Sequence, residues 1–257
     1  MTERLMVAVS SAGSPKHVAR AKKQAAEWGV PFFSRPRNSG ITKHLGTVSD
    51  AFLVLGADGW KLTDAGGALG FSPNLAMLRL KRFDKGERDD AMLRVSELRE
   101  GDQVLDCTLG LGADALVAAR AVGPKGRVLG LEKSLPLWCL MSAGLRDWSW
   151  PGAVAIETRR ADFAEFLASA EPKSFDVVMF DPMFDKDTNA SPSFEILRRY
   201  AIDDVLTPEL LQRARVVARR WVMVKAARYS PALPRLGLVP ERASRSSPTV
   251  WARLPGA

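Results

Sequence analysis

Between residues 101 and 257, short apolar runs and helical patterns take turns along the chain, and no other feature limits the possible folds as much. The predicted strands are Val104–Thr108, Val128–Glu132, Val154–Arg159, Asp176–Asp181 and Trp221–Ala226. The predicted helices are Ala113–Val122, Leu135–Trp148, Phe163–Ala170, Ser193–Val205 and Pro208–Arg220. An unbroken run such as Val177-Val178-Met179-Phe180 has no polar face, so it suits a strand covered on both sides, as in a parallel sheet. Gly123-Pro124-Lys125-Gly126 separates one helix from the next strand. Thr207-Pro208-Glu209 has the order of a helix start: N-cap, proline in the first turn, then an acid. Leu236–Arg242 and Thr249–Leu254 read as a closing hairpin. The expectation is an α/β fold with a doubly wound, mostly parallel sheet of seven strands and ligands at the carboxyl ends of those strands.

Residues 1–70 follow another pattern. Met6–Val9 reads as a strand and Pro15–Trp28 as a helix. Ala51–Leu55 and Trp60–Leu62 form a hairpin through Gly56-Ala57-Asp58-Gly59. This segment is predicted to be a small N-terminal α/β appendage that serves substrate recognition. Residues 71–100 form a basic connector followed by a helix over Asp90–Leu98, and residues 101–257 form the ligand-binding domain.

Composition narrows the classes that remain. Of 257 residues, 46% are hydrophobic, enough for a sizeable core. No apolar run has the roughly 18 residues of a membrane span, and the expected location is cytoplasmic. Two cysteines and two distant histidines imply neither a disulfide framework nor a metal site. Residues 1–100 hold 16 basic and 11 acidic side chains, a net of +5; residues 101–210 hold 11 and 17, a net of −6; residues 211–257 hold 10 and 1, a net of +9. An acidic middle between basic flanks suits a polyanionic partner such as RNA.

Asp106-Cys107-Thr108-Leu109-Gly110-Leu111-Gly112 joins a strand to a helix. Its glycines let the backbone approach a bound molecule, and the helix start offers free N–H groups. Glu132 ends the next strand, where an acid can bind two ribose hydroxyls, and Asp162 follows the third strand, toward an adenine edge. Two cofactors fit. Gly110-Leu111-Gly112-Ala113-Asp114-Ala115 matches the dinucleotide pattern, but Asp114 would set a negative charge beside a pyrophosphate. S-adenosylmethionine carries an ammonium at its amino-acid end and meets that objection less. The candidate cofactor set is Asp106, Thr108, Gly110, Gly112, Asp114, Glu132, Lys133, Asp162, Phe163 and Asp181.

The fourth strand ends in Asp181-Pro182-Met183-Phe184. An exocyclic amine on a base is a poor nucleophile, because its lone pair is delocalised into the ring. Asp181 and the Pro182 carbonyl can accept both N–H bonds and favour positive charge on nitrogen as a methyl group arrives. Phe184 offers a face for base stacking. Alone, Asp-Pro is a common turn; one strand–helix unit beyond a glycine loop, it reads as an amine clamp with Asp181, Pro182 and Phe184 as catalytic candidates.

At these residues the chain resembles class I S-adenosylmethionine-dependent methyltransferases. More narrowly, it is similar to the family of the bacterial small-subunit rRNA guanine-N2 methyltransferase and its Gram-positive relatives. The resemblance rests on residues 105–114, on the complete Asp-Pro-Met-Phe at 181–184, on Val222-Met223-Val224-Lys225 with Tyr229-Ser230-Pro231, and on Pro73–Arg79 with Gly86–Asp90. It implies Asp106, Gly110, Gly112, Glu132 and Asp162 around the cofactor, with Asp181 and Phe184 at the methyl acceptor. The rRNA enzymes usually have proline where this chain has Asp185, and Ala226-Ala227 follow Lys225 in place of Arg-Pro. Both departures touch the substrate side.

Lys225, Arg79, Arg82 and Arg88 are the candidate contacts to substrate phosphate or base; the competing reading of each is a solvated charge. Arg213, Arg215, Arg219 and Arg220 are placed on one helix, and Cys107 reads as a small buried filler. The partner expected is RNA, as rRNA or a ribosomal particle, with no membrane and no metal; oligomeric state is left open. Two other readings remain: a methyltransferase for a small-molecule or protein amine, and a non-catalytic RNA-binding protein that retains the cofactor fold.

Overall fold

Ser14, Pro15 and Gly29 delimit the first helix locally. In the computed structural model, which describes residues 4–36, 39–182, 192–202, 205–241 and 247–257, strand β1 (Leu5–Val9) leads into helix α1 (Pro15–Trp28). The Ser14 hydroxyl accepts the His17 N–H, and His17 Nδ1 accepts the Ser14 N–H at 3.1 Å, a capping box with histidine in place of the usual acid. Gly29 ends the helix in the left-handed region, with φ 66°. The chain forms two compact units. The smaller comprises residues 1–72 with two segments from later in the chain, 134–147 and 189–201. Its sheet runs β1–β2–β3–β4, with β2 (Ala51–Gly56) parallel to β1, and β3 (Gly59–Asp64) and β4 (Gly67–Gly70) added antiparallel. The hairpin through Ala57-Asp58 is as expected; β4 extends it. Helix α5 (Leu135–Asp147) packs on β2 and β3, and α7 (Pro192–Tyr200) packs on β4. Asp64 fixes α7 to this sheet: it accepts the Tyr200 hydroxyl at 3.1 Å and pairs with Arg199.

The larger unit comprises residues 73–133, 148–188 and 202–257. Its sheet has six strands among the described residues, in the order β10–β9–β8–β5–β6–β7. These are β5 (Gln103–Asp106), β6 (Arg127–Glu132), β7 (Ile156–Arg160), β8 (Phe175–Phe180), β9 (Ala218–Ala227) and β10 (Thr249–Pro255). All pairs are parallel except β9–β10. The doubly wound, mostly parallel architecture is the one expected, with six strands where seven were counted. Among the described residues, the backbone of the segment before β10 meets it at an isolated bridge, Pro240 to Ala252, and by one bond from the Glu241 N–H to the Trp251 carbonyl, and Glu241 also pairs with Arg253. Pro240 has no N–H to give a ladder, which limits pairing at that point.

Helices α2 (Asn74–Asp84), α3 (Ala91–Ser96), α4 (Ala113–Val122), α6 (Phe163–Ser169), α8 (Pro208–Val217) and the short α9 (Ala232–Arg235) complete this unit. Thr207 caps α8 as expected, accepting the Leu210 N–H. The segment read as a basic connector holds α2. Helix α8 stops at Val217, so Arg219 and Arg220 lie on β9 and not on a helix with Arg213 and Arg215; they pair with Asp176 and Asp102. On one face of the sheet Leu105, Val178, Phe180, Val222 and Val224 form a core with Phe163 and Leu167 of α6 and Leu211, Ala214 and Val217 of α8. The chain leaves β5 toward β6 and β7, then returns to β8 on the other side of β5. The sheet therefore switches direction between β5 and β8, and their carboxyl ends form the crevice where such folds bind ligands.

Among the described residues, no helix is long and apolar enough to cross a membrane, and no group of three histidine, cysteine or acidic side chains is arranged to hold a metal ion.

Candidate active site

The loop after β5 is tied down from both neighbouring strands. The Cys107 N–H donates to the Met179 carbonyl of β8 at 2.9 Å, and the Leu109 N–H donates to the Leu131 carbonyl of β6 at 2.9 Å. Leu109 covers Gly130 of β6 so closely that a Cβ there would lie 2.6 Å from its Cδ1. Gly112, with φ 70°, takes the left-handed turn that starts α4. The Gly110 N–H donates to Glu132 Oε2 at 3.2 Å, so the acid at the end of β6 faces the glycine loop. Asp162 caps α6 by accepting the Ala164 N–H at 2.7 Å and pairs with Lys133 at 2.7 Å. Burial would raise the Asp162 carboxyl, but Lys133 and the capping bonds outweigh it and hold it below the usual range. Phe163 lies in the core, edge-on to Phe180 with ring centroids 5.5 Å apart. Cys107 is buried, as expected of a filler.

The end of β8 is fixed to the same loop. The Asp181 N–H donates to Thr108 Oγ1 at 2.6 Å. Asp181 Oδ2 lies 2.7 Å from Lys225 Nζ, at the carboxyl end of β9. That ammonium also lies 2.9 Å from Asp114 Oδ2 and 5.6 Å from the centroid of Trp251. The other Asp114 oxygen meets Arg79 Nη1 at 2.6 Å, and Arg79 also engages both oxygens of Asp90, at 2.6 and 3.2 Å. Three elements, the N-cap of α3 and the loop end after β8 thus meet in a chain of charges: Asp90, Arg79, Asp114, Lys225, Asp181. The Asp114 side chain is only 9% exposed, whereas that of Asp181 is 42% exposed and open to a ligand.

Burial favours the neutral form of Arg79, Asp114, Lys225 and Asp181, and at the first three the charged partners outweigh it. Lys225 and Arg79 outweigh burial at Asp114 and hold its carboxyl low. Asp114 and Asp181 hold the Lys225 ammonium above its ordinary range, and Asp90 and Asp114 do the same for Arg79. At Asp181, burial and the Asp114 charge push the carboxyl up against the pull of Lys225. Asp106 is fully buried below them. It accepts the Thr108 N–H at 3.1 Å, yet burial, aided by Asp114 and Asp181, pushes its carboxyl up to about 7. Asp106 therefore holds its proton in the fold while an unfolded aspartate loses it near its ordinary value of 3.8. The folded state binds the extra proton through that interval, so this group contributes stability that falls as pH rises toward 7. Asp106→Asn keeps the acceptor for Thr108 and cannot ionise. Urea unfolding of the cofactor-free protein is expected to lose stability from pH 5 to pH 8 in the wild type and to show a smaller loss in Asp106→Asn; parallel profiles would contradict this.

The structure thus brings Asp106, Thr108, Gly110, Gly112, Asp114, Glu132, Asp181, Lys225 and Arg79 to one end of one sheet. Arg82 is placed elsewhere, paired with Glu87 and Asp89, and Arg88 lies over the Phe83 ring at 4.3 Å. Pro182 is described; Met183, Phe184 and Asp185 lie outside the described residues. Asp90 beside Arg79 and Trp251 beside Lys225 carry no signal of these roles in the sequence.

A family model described as "Putative SAM-dependent methyltransferase" matches residues 70–237, which include every member of this charge chain. The chain belongs to that methyltransferase family. The methyltransferase is 36% identical over 240 residues to the uncharacterized protein YpiP of Bacillus subtilis, covering 90% of this chain and 92% of that protein. It is 30% identical over 229 residues to ribosomal RNA small subunit methyltransferase J of Coxiella burnetii, covering 86% of this chain and 87% of that one. In fold it is similar to the crystal structure of the SAM-dependent methyltransferase NGO1261 from Neisseria gonorrhoeae, with a TM-score of 0.63 over 98% of this chain and 96% of that one, at 18% identity. The methyltransferase uses S-adenosylmethionine, and the dinucleotide reading falls.

Proposed function

We propose that this methyltransferase methylates an exocyclic base amine of RNA, a guanine of small-subunit rRNA. The observation that carries the reading is Asp181: a partly exposed carboxylate at the switch point of the sheet, fixed at its backbone by Thr108 and at its side chain by Lys225. The basic flanks and the rRNA activity named for the Coxiella relative support RNA as the acceptor. An RNA acceptor also goes with a cytoplasmic location.

The residues at the crevice fit S-adenosylmethionine chemically. They are rich in acceptors, and the cofactor offers donors: an ammonium, two ribose hydroxyls and an adenine amine. Glu132 would take the ribose hydroxyls, Asp162 with Lys133 and Phe163 would border the adenine, and Asp106, Thr108, Gly110, Gly112 and Asp114 would enclose the amino-acid end. When bound, S-adenosylmethionine would supply an electrophilic methyl carbon, whose bond to the sulfonium sulfur breaks as the bond to nitrogen forms and leaves S-adenosylhomocysteine. Asp181 and the Pro182 carbonyl accept the two N–H bonds of the incoming amine and aim its lone pair, and positioning of this kind is the main lever on a direct displacement. As the nitrogen takes the methyl group it gains positive charge, which the Asp181 carboxylate stabilises before the surplus proton leaves to it and then to water. A base within a duplex must first be unstacked, and Phe184 is proposed to stack it, worth roughly 1–3 kcal/mol. Arg82 and Arg88 are proposed to meet the RNA backbone.

Nucleoside mass spectrometry of small-subunit rRNA from a deletion strain is expected to show the loss of one N-methylated guanosine and its return on complementation. An unchanged nucleoside profile would instead favour a small-molecule or protein amine.

A further inference from the structure

We propose that Lys225 is a positioning residue for methyl transfer: it holds the Asp181 carboxylate charged and oriented, and it is itself held by Asp114, which Arg79 and Asp90 lock in place. The proposal rests on the reading of Asp181 as the acceptor of the amine N–H bonds. A lysine at the rim of a site in an RNA-modifying enzyme invites assignment to a phosphate. The distances argue otherwise. An ammonium has three donors. Two are committed here, to Asp181 Oδ2 at 2.7 Å and Asp114 Oδ2 at 2.9 Å, and the Trp251 ring lies beneath the third side. A phosphate would have to displace one of these two carboxylates.

The arrangement also gives Lys225 work at Asp181. Fixing Oδ2 sets the plane of the carboxylate and assigns Oδ1 to the amine. The groups facing Asp181 are Lys225 on β9, Asp114 on α4, Asp106 at the end of β5 and Arg79 on α2. Of these, burial and Asp114 favour protonated Asp181, which would accept one N–H bond less, and Lys225 is the nearest cation opposing them. Arg79 and Asp90 act one step further out. Without them, the buried Asp114 would have Lys225 alone, and the lysine would be drawn away from Asp181.

Two measurements test this. The first needs no substrate: 13C NMR titration of the Asp181 carboxyl, assigned by its absence in Asp181→Asn. Lys225→Met is expected to move the Asp181 midpoint up, Lys225→Arg to restore most of it, and Asp114→Asn to move it down. The second follows single-turnover methylation of small ribosomal subunits from a deletion strain. Lys225→Met is expected to lower the rate about 10- to 100-fold, in the range for loss of positioning, with the acid limb displaced to higher pH. The KM for subunits and its salt dependence should stay unchanged, as should cofactor affinity by calorimetry. A purely structural role leaves the titration of Asp181 in place in all folded variants, and that result would overturn the proposal. So would a raised KM with a shallower salt slope, which marks a phosphate contact. If Asp181→Ala turns over normally, the amine clamp fails by itself, whatever Lys225 does to the Asp181 titration.

Discussion

Asp181→Ala is expected to lower the rate of methyl transfer by about 10³-fold, the scale seen when a preorganised group that meets transition-state charge is removed. The affinity for S-adenosylmethionine, measured by calorimetry, should change by only a few fold. The reasoning is differential. A neutral aromatic amine bonds weakly to a carboxylate, and the bond strengthens as the nitrogen becomes cationic, so its loss falls on kcat more than on KM. The fold should tolerate the change. The Asp181 side chain is partly exposed, its backbone bond to Thr108 does not involve the carboxylate, and Lys225 keeps Asp114 as a partner. Normal turnover by the variant would remove Asp181 from the mechanism.

The largest effect on stability is expected at Asp114. Its carboxylate lies between Arg79 and Lys225, all three side chains at most a quarter exposed. Asp114→Ala leaves two cations facing each other without the charge that joins them. Removing one partner from a buried pair costs about 3–5 kcal/mol. The value here should fall near the lower end, because Arg79 keeps Asp90 and Lys225 keeps Asp181. In urea the midpoint should drop with little change in slope. Replacing Lys225 by Met in the same chain should recover part of the loss, since one of the stranded charges is then gone; strictly additive effects would contradict the coupling.

Much of this site was legible from local signals. Asp106, Gly110, Gly112 and Glu132 declare themselves through strand ends and a glycine turn, and those features depend on neighbours in sequence. The bond from Gly110 to Glu132 is the expected meeting of adjacent strand ends. Strand β4 was missed because Gly67-Ala68-Leu69-Gly70 has low strand propensity and buries only Leu69; pairing with β3 makes it a strand. Helix α2 looks like a charged connector in sequence, since Leu75 and Leu78 are exposed while Ala76 and Leu80 are buried, which blurs the helical stripe. The charge chain was not legible at all. Arg79 and Lys225 look like free cations along the sequence, and only the packing of α2 on α4 together with the order of the sheet brings them to the two sides of Asp114.

The most direct test is methyl transfer in solution: the purified protein, S-adenosylmethionine labelled in its methyl group, and small-subunit rRNA or subunits from a deletion strain. After digestion to nucleosides, the label is expected on the exocyclic nitrogen of a guanine, near one methyl per RNA, and absent with Asp181→Ala. Label on a ribose oxygen or a ring carbon, or equal labelling with Asp181→Ala, would contradict the account.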